Sequence, residues 1–518
     1  MTAASQSGDE RRDDAIRFIL DGEVHTVRGI DPNITVLAYL REHLRRTGTK
    51  EGCAEGDCGA CTVVLAEPDG DRVRFRAVNS CIKFLPTLDG KELLTVESLR
   101  AADGSLHPVQ RAMVECHGSQ CGFCTPGFVM SMLELYKSEE RPSRRRLHDA
   151  LAGNLCRCTG YRPILDAAQK AYGNGHGGAG DGGNGDWLHR PYEAGAGPDD
   201  GEREMLERLR AIQRQGTLSV RGPDLAGGER RFFAPHTVDD LAALCEEYPE
   251  ARILAGGTDV GLWVTKFHWD IDTIIYLGEV AELDRIEVAD GHLEIGAAAT
   301  LTDAWQIIGE RFPDMGEMYR RFASPPIRNA ATLCGNVANG SPIGDSMPGL
   351  IALGATLVLR RGASSRELPL DEFYLAYQKT ALEPGEFVER VRIPLEPADR
   401  QFRTYKISKR FDQDISAVCG AFAARLEDGR ARQVRVCFGG MAAIPQRAAN
   451  CERALEGQRW EESTIDAAMA ALDGDYTPID DMRSSAGYRS LVARNLLRKF
   501  YLETSGYDGE TRVLEHRR

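Results

Sequence analysis

Cys53, Cys58 and Cys61 stand in the spacing C-x4-C-x2-C, and nineteen residues separate the third from a fourth cysteine, Cys81. Three thiolates on one short loop can wrap an iron–sulfur core while the fourth arrives from the hairpin that follows. Gly52 just before the set and Gly56 and Gly59 within it let backbone amides approach the sulfides. The spacing is that of a 2Fe-2S cluster. Zinc or buried free thiols are the other uses of such residues, and zinc prefers paired C-x2-C knuckles.

A second set follows as Cys121-x2-Cys124 and Cys156-x-Cys158. Cys124 directly precedes Thr125-Pro126, so its thiolate falls at a helix N-terminus, where the dipole favours negative charge. Four thiolates from two helix-end loops can hold another 2Fe-2S cluster, although this spacing serves zinc as well. Cys116 reads as a packed thiol. The remaining five cysteines, Cys245, Cys334, Cys419, Cys437 and Cys451, are scattered singly, so the metal chemistry belongs to the first third of the chain.

The elements that must position these thiols follow from the hydrophobic pattern. Residues 15–28 alternate around Asp21-Gly22, a hairpin signal. Residues 35–46 place Val36, Leu37, Leu40 and Leu44 on one helical face, with Gly48 as the expected stop. A second hairpin turns at Asp69-Gly70. From Ser105 the period becomes helical and predicts four short helices, with Thr125 or Ser143 as N-caps and Pro126 or Pro163 in first turns. Residues 173–185 hold eight glycines in thirteen, too little apolar surface to order, and predict a flexible join. A polar stretch with one helix at 202–213 extends it to about 228. Strands then alternate with helices, and near residue 400 a further strand-rich block begins. Late helices are expected from Ile465 and Tyr488.

In that later region LAGGTDVGL, residues 254–262, puts Gly256, Gly257 and Gly261 around Thr258 and Asp259 after an apolar strand. Exposed amides in such a turn can bind a pyrophosphate, yet an ordinary strand-to-helix turn has the same look. Residues 324–348, SPPIRNAATLCGNVANGSPIGDSMP, contain too many Gly, Asn, Ser and Pro for a strand or a helix and are expected to be a loop.

The 518 residues suffice for three or four domains. Basic residues number 64 against 78 acidic, a net charge of −14, which argues against a nucleic-acid partner. The start MTAASQSGDERRDD has no signal-peptide pattern and no apolar run reaches membrane-spanning length, so no membrane association and a cytoplasmic location are expected.

EGCAEGDCGACTVVL, QCGFCTPG and GNLCRCTGYRPI resemble the paired iron–sulfur domains of the molybdenum hydroxylases, the xanthine dehydrogenase and aldehyde oxidase family, and all eight cysteines fit the pattern. LAGGTDVGL, IRNAATLCGN and SPIGDSMP resemble the FAD domain of the same family. The resemblance implies a multi-domain α+β chain. Its domains would be a β-grasp 2Fe-2S ferredoxin-like domain at 1–95, a four-helix 2Fe-2S domain at 96–172, a Gly-rich linker at 173–228, an α+β FAD-binding domain at 229–405 and a C-terminal α+β flavoprotein domain at 406–518. It implies that the second cluster faces the molybdopterin, with Gln120 near the contact. It implies FAD contacts from Gly256, Gly257, Thr258, Asp259, Phe322, Thr332, Gly335, Asn336, Ser341 and Asp345, with Lys406 as the cation near the flavin. Cys334, where the family usually has glycine, would put a side chain beside the cofactor.

A flavin can collect two electrons from one-electron clusters and release them as hydride. The resemblance therefore implies an electron-transfer chain with two 2Fe-2S clusters and FAD, NAD as acceptor, and a purine hydroxylated at a molybdopterin on a separate large subunit. This is the arrangement of the small subunit in the family's two-chain bacterial members, expected as a dimer of two-chain units. The same role toward an aldehyde or N-heterocycle, a stand-alone NADH-dependent reductase and a zinc-binding protein without activity are the alternatives. No second catalytic motif is present, so no acid–base or nucleophilic residue is expected on this chain.

Overall fold

In the computed structural model the structure describes residues 14–101, 103–173, 187–224, 227–395 and 400–511. They divide into two compact units. One holds the chain to Leu244 with Glu250–Ala281 and Ser324–Ala331; the other holds Cys245–Pro249, Glu282–Ala323 and Thr332 onward. The stretch expected as a single FAD-binding domain, 229–405, is thus shared between them.

The first unit begins with a five-stranded sheet. Its order is Glu23–Val27, Ile16–Leu20, Glu92–Leu94, Thr62–Asp69, Arg72–Asn79, with the first strand of the chain parallel to Glu92–Leu94 and the other pairs antiparallel. This is the β-grasp arrangement. The first hairpin turns at Asp21-Gly22, both with positive φ (52° and 76°), the backbone a two-residue type I′ turn demands. The second hairpin pairs Asp69 with Arg72, so its turn is Gly70-Asp71, one residue later than expected.

The helix expected over 35–46 is shorter and irregular. Thr35 caps Val36–Ala38, the chain then widens into a π-helical turn over Tyr39–His43, and Arg45 at φ 57° ends it before Gly48. Val36 and Leu37 donate their N–H groups to the carbonyls of Lys83 and Ser80, which satisfies two of the first-turn donors that no helix can pair internally.

Four helices follow, Pro108–Glu115, Thr125–Ser138, Arg144–Leu151 and Arg162–Gly173. Ser143 caps the third through the Arg146 N–H, whereas the second is capped at Cys124, with Thr125 already its first helical residue. The helices bury Phe128, Met132, Leu147 and Ile164 around a common core. His107 is wholly buried there. Its Nδ1 accepts from the Val109 N–H, so Nε2 carries the proton and donates to the Leu188 carbonyl; burial pushes its pKa down to about 3.

Beyond Gly173 the glycine-rich run lies outside the described residues. The rest of the expected join is built rather than flexible. Trp187 and Leu188 are buried, the helix Asp200–Ile212 adds Leu206 and Leu209 to the same core, and Glu202 on it binds Arg72 at 2.8 Å. Leu218–Pro223 is a strand of the unit's second sheet, ordered Leu218–Pro223, Glu229–Ala234, Thr273–Tyr276, Arg252–Leu254. The polar residues of 187–217 are partly structural, since Glu202 and Arg214 are buried in ion pairs with Arg72 and Asp89.

The second unit contains a five-stranded antiparallel sheet (Ile286–Ala289, His292–Gly296, Phe387–Pro394, Thr356–Arg361, Ser364–Pro369) and a four-stranded one (Arg400–Ile407, Val418–Glu427, Arg430–Gly439, Gln446–Arg447). The helices Ala449–Leu455, Glu462–Ala471 and Ala486–Thr504 pack on the latter through Cys451, Leu455, Ile465, Leu497 and Phe500.

Residues 324–348 are not a loop. Ser324 caps Pro325–Ala330, Thr332 caps Leu333–Asn339, and Ser346–Leu353 is a third helix. The residues that argued against a helix are its punctuation. Pro325 and Pro326 occupy a first turn, where no N–H is missed, and Gly340 at φ 61° ends the second helix.

Candidate iron-sulfur and flavin sites

The first thiol set is gathered by the loop that precedes the Thr62–Asp69 strand and by the end of the Arg72–Asn79 strand. Cys61 and Cys81 are buried with their sulfurs 3.2 Å apart, while Cys53 and Cys58 are half-buried. The N–H groups of Asp57 and Cys58 donate to Cys53 Sγ at 3.2 and 3.3 Å. Hydrogen bonding from Cys58, then Cys81, holds Cys53 far below the ordinary thiol range, and the same contact with Cys53 raises Cys58. Cys61 is lowered by its bond with Cys81, which is itself raised by Cys53 and Cys61. Four thiols this close cannot all ionise against one another, and a cluster of two irons supplies the positive charge that lets them.

The second set is gathered by two helix-end loops. Cys121 and Cys158 are exposed and bonded to each other, which raises Cys158; Cys121 is lowered first by the Phe123 N–H. Cys124 is pushed up to about 12 by burial and by its bond with Cys156. Cys156 is buried, which opposes its ionisation, but Thr159 Oγ1 at 3.1 Å and the Thr159 N–H hold it down. The two sets are in direct contact: the Leu155 N–H donates to the Cys58 carbonyl at 2.9 Å. Among the described residues no group of three or more His, Cys, Asp or Glu is set to hold a single metal ion.

Of the expected flavin contacts, Gly256, Gly257, Thr258 and Asp259 lie in the first unit, on the turn between Arg252–Leu254 and Val260–Thr265. Gly257 has φ 76°. A Cβ on Gly256 would lie 2.0 Å from the Ala330 carbonyl oxygen, so the turn is open only to glycine. The structure brings this turn against the first thiol set. A Cβ on Gly261 would lie 2.5 Å from the carbonyl oxygen of Ile82, the residue after Cys81, and one on Gly257 would lie 3.3 Å from it.

The others lie in the second unit. The ring of Phe322 meets Trp305 edge-on at 4.6 Å, and Trp305 stacks on Tyr319 at 4.4 Å. Thr332 accepts from the Gly335 N–H at 3.0 Å. Asn336 Oδ1 is shielded from solvent and has no hydrogen-bond partner, an acceptor that a ribityl hydroxyl or flavin N–H would satisfy. Ser341 follows the left-handed Gly340. Cys334 is buried with its sulfur 3.5 Å from the Ile295 carbonyl, and burial pushes it up to about 12, so it stands as a neutral thiol. Lys406 Nζ and Asp345 Oδ2 are 2.6 Å apart and both side chains are almost fully buried. The glycine turn leaves room for a pyrophosphate, and the orphaned Asn336 oxygen is suited to a hydroxyl or N–H donor, each within its own unit.

Two participants escaped the sequence reading. Ser416 bonds both members of the pair, to Asp345 Oδ1 at 2.6 Å and Lys406 Nζ at 2.9 Å. Behind it, buried Arg489 donates to the carbonyls of Ala417 and Gly440 and pairs with Asp481. Ser416 lies ten residues beyond Lys406 in the segment YKISKRFDQDIS; Arg489 has no local signal.

The family model described as a 2Fe-2S iron-sulfur cluster binding domain matches residues 18–84, and a 2Fe-2S binding domain matches 95–169. The FAD binding domain in molybdopterin dehydrogenase matches 228–396, and the CO dehydrogenase flavoprotein C-terminal domain matches 403–504. Xanthine dehydrogenase of Emericella nidulans is 35% identical over 95% of this chain and 39% of its own length. Xanthine dehydrogenase/oxidase of Gallus gallus is 30% identical over 96% and 40%, and aldehyde oxidase 1 of Bos taurus 32% identical over 94% and 39%. The chain thus spans about two fifths of the length of these relatives. A solved carbon monoxide dehydrogenase from Hydrogenophaga pseudoflava aligns at 26% identity and TM-score 0.49, over 52% of this chain and 94% of that one. The four consecutive domain matches correspond to the N-terminal 2Fe-2S plus FAD part of xanthine dehydrogenase-family molybdenum hydroxylases.

Proposed function

We propose that this chain is the electron-transfer subunit of a two-chain, bacterial-type xanthine dehydrogenase. It carries electrons from purine hydroxylation, at a molybdopterin on a partner large subunit, to NAD. Bound clusters supply one-electron transfer, and bound FAD supplies the pairing of electrons for hydride release. The observation that carries the reading is the packing of Ile82, next to Cys81, on the glycine turn at Gly257 and Gly261, because it joins a cluster site to a flavin site in one unit.

Within this reading Cys53, Cys58, Cys61 and Cys81 hold one cluster and Cys121, Cys124, Cys156 and Cys158 the other. In the first unit Gly256 and Gly257 leave room for the FAD pyrophosphate, with Thr258 and Asp259 beside it; in the second unit Phe322, Thr332, Gly335, Asn336 and Ser341 are further FAD contacts. Lys406 and Asp345 act there as one unit held by Ser416. Phe123 and Leu155, 47% and 46% exposed beside the exposed Cys121 and Cys158, form with Gln120 the docking face for the molybdenum subunit. A cytoplasmic dimer of two-chain units completes the proposal. Among the described residues no helix is long and apolar enough to cross a membrane.

A second reading, the same role for an aldehyde or N-heterocycle substrate, is favoured by the 32% identity to aldehyde oxidase 1. Anaerobic addition of NADH to the purified chain tests the acceptor, since hydride transfer is reversible. NADH is expected to bleach the flavin, while xanthine bleaches nothing until the large subunit is added. Bleaching by dithionite but not by NADH would remove NAD from the proposal, and bleaching by an aldehyde but not by xanthine in the reconstituted pair would select the second reading.

A further inference from the structure

Asn154, two residues before Cys156, is 2% exposed, and its carboxamide is used on both sides. Oδ1 accepts from Ser131 Oγ at 2.7 Å, on the helix that begins just after Cys124. Nδ2 donates to the Gly59 carbonyl at 3.0 Å and to Thr62 Oγ1 at 3.2 Å, between and just beyond Cys58 and Cys61. One side chain therefore ties together the three segments that present seven of the eight cluster cysteines. The packing around it leaves no slack. A Cβ on Gly59 would lie 2.3 Å from the Gly153 carbonyl oxygen, one on Gly127 would lie 2.1 Å from the Gly59 carbonyl oxygen, and the Leu155 N–H bonds the Cys58 carbonyl.

We propose that Asn154 is a positioning residue that fixes the separation of the two thiol sets, and with it the coupling between their clusters. This rests on both sets holding 2Fe-2S clusters. Buried amides whose donors and acceptor are all satisfied rigidify the elements they join, because every alternative arrangement strands a polar group. The two Nδ2 bonds run across the contact between the sets, while the Ser131 bond joins the two halves of the second set, so losing the Nδ2 donors alone leaves each set of ligands intact and frees the distance between them.

The test uses the full chain with iron and sulfide counted, and electron paramagnetic resonance of the reduced protein as readout. In the wild type the two paramagnetic centres are expected to split each other's signals. Asn154→Asp keeps the size but removes both donors and sets a carboxylate against the Gly59 carbonyl. It is expected to keep wild-type iron and sulfide while the splitting is lost or reduced at least by half, and Ser131→Ala to give a smaller change in the same direction. Wild-type splitting in Asn154→Asp overturns the proposal. Loss of iron from both sets in that variant also overturns it, since Asn154 would then serve folding in general. A wild-type chain without two clusters refutes the electron-transfer reading itself, which the iron count alone reveals.

Discussion

Lys406→Met is expected to destabilise the second unit by about 3–5 kcal/mol, the range for removing one partner of a buried ion pair. The Asp345 carboxylate is 3% exposed and is bonded by Lys406 Nζ, Ser416 Oγ and the Cys419 thiol. Methionine leaves the first position filled with apolar atoms and the carboxylate facing them. A hydroxyl and a thiol do not compensate a charge in such a site, so the strand Arg400–Ile407 is expected to move away from the helix Ser346–Leu353. Thermal unfolding followed with the FAD content is the measurement. Lys406→Met combined with Asp345→Asn is expected to recover a large part of the loss, because the uncompensated charge is gone. A single-variant loss below about 1 kcal/mol, the value of an exposed pair, would show that the pair is not buried as described.

Gly59→Ala is expected to cost about 4 kcal/mol or more and to strip iron from the chain. Its φ of 70° costs a side chain about 1–3 kcal/mol by itself. The added methyl would in addition lie 2.3 Å from the Gly153 carbonyl oxygen, a backbone atom fixed by the neighbouring bonds of Asn154 and Leu155. The loop of Cys53, Cys58 and Cys61 and the loop of Cys156 and Cys158 cannot both keep their places, so iron at both sets is expected to fall. Wild-type iron with unchanged unfolding temperature would contradict the packing described for these loops.

Local chemistry was legible in the sequence and partnership across the chain was not. The first hairpin could be read because Asp21-Gly22 demands its turn whatever surrounds it. The thiol sets could be read because ligand spacing is a property of short segments. The segment 324–348 was misread because Gly, Asn, Ser and Pro were counted as helix breakers, although Ser324, Thr332, Pro325 and Gly340 stand where helices begin and end. The helix over 35–46 gives way to a π-helical turn at Tyr39–His43 and a left-handed Arg45, backbone states that the apolar spacing does not specify. Asn154 meets Gly59 from 95 positions away and Ser416 meets Asp345 from 71, so both looked like ordinary polar residues until the fold closed. The glycine turn at 256–259 was legible as a strand-to-helix turn, but its contact with Ile82 needed the folded unit.

The most direct test of the electron-transfer account is the visible spectrum of the purified chain with its iron, sulfide and flavin contents, before and after anaerobic dithionite. The account predicts about four irons and four sulfides per chain, as two binuclear clusters require, with one FAD and absorbance that bleaches on reduction. A colourless chain carrying zinc, or none of these groups after expression with iron and flavin supplied, would contradict it.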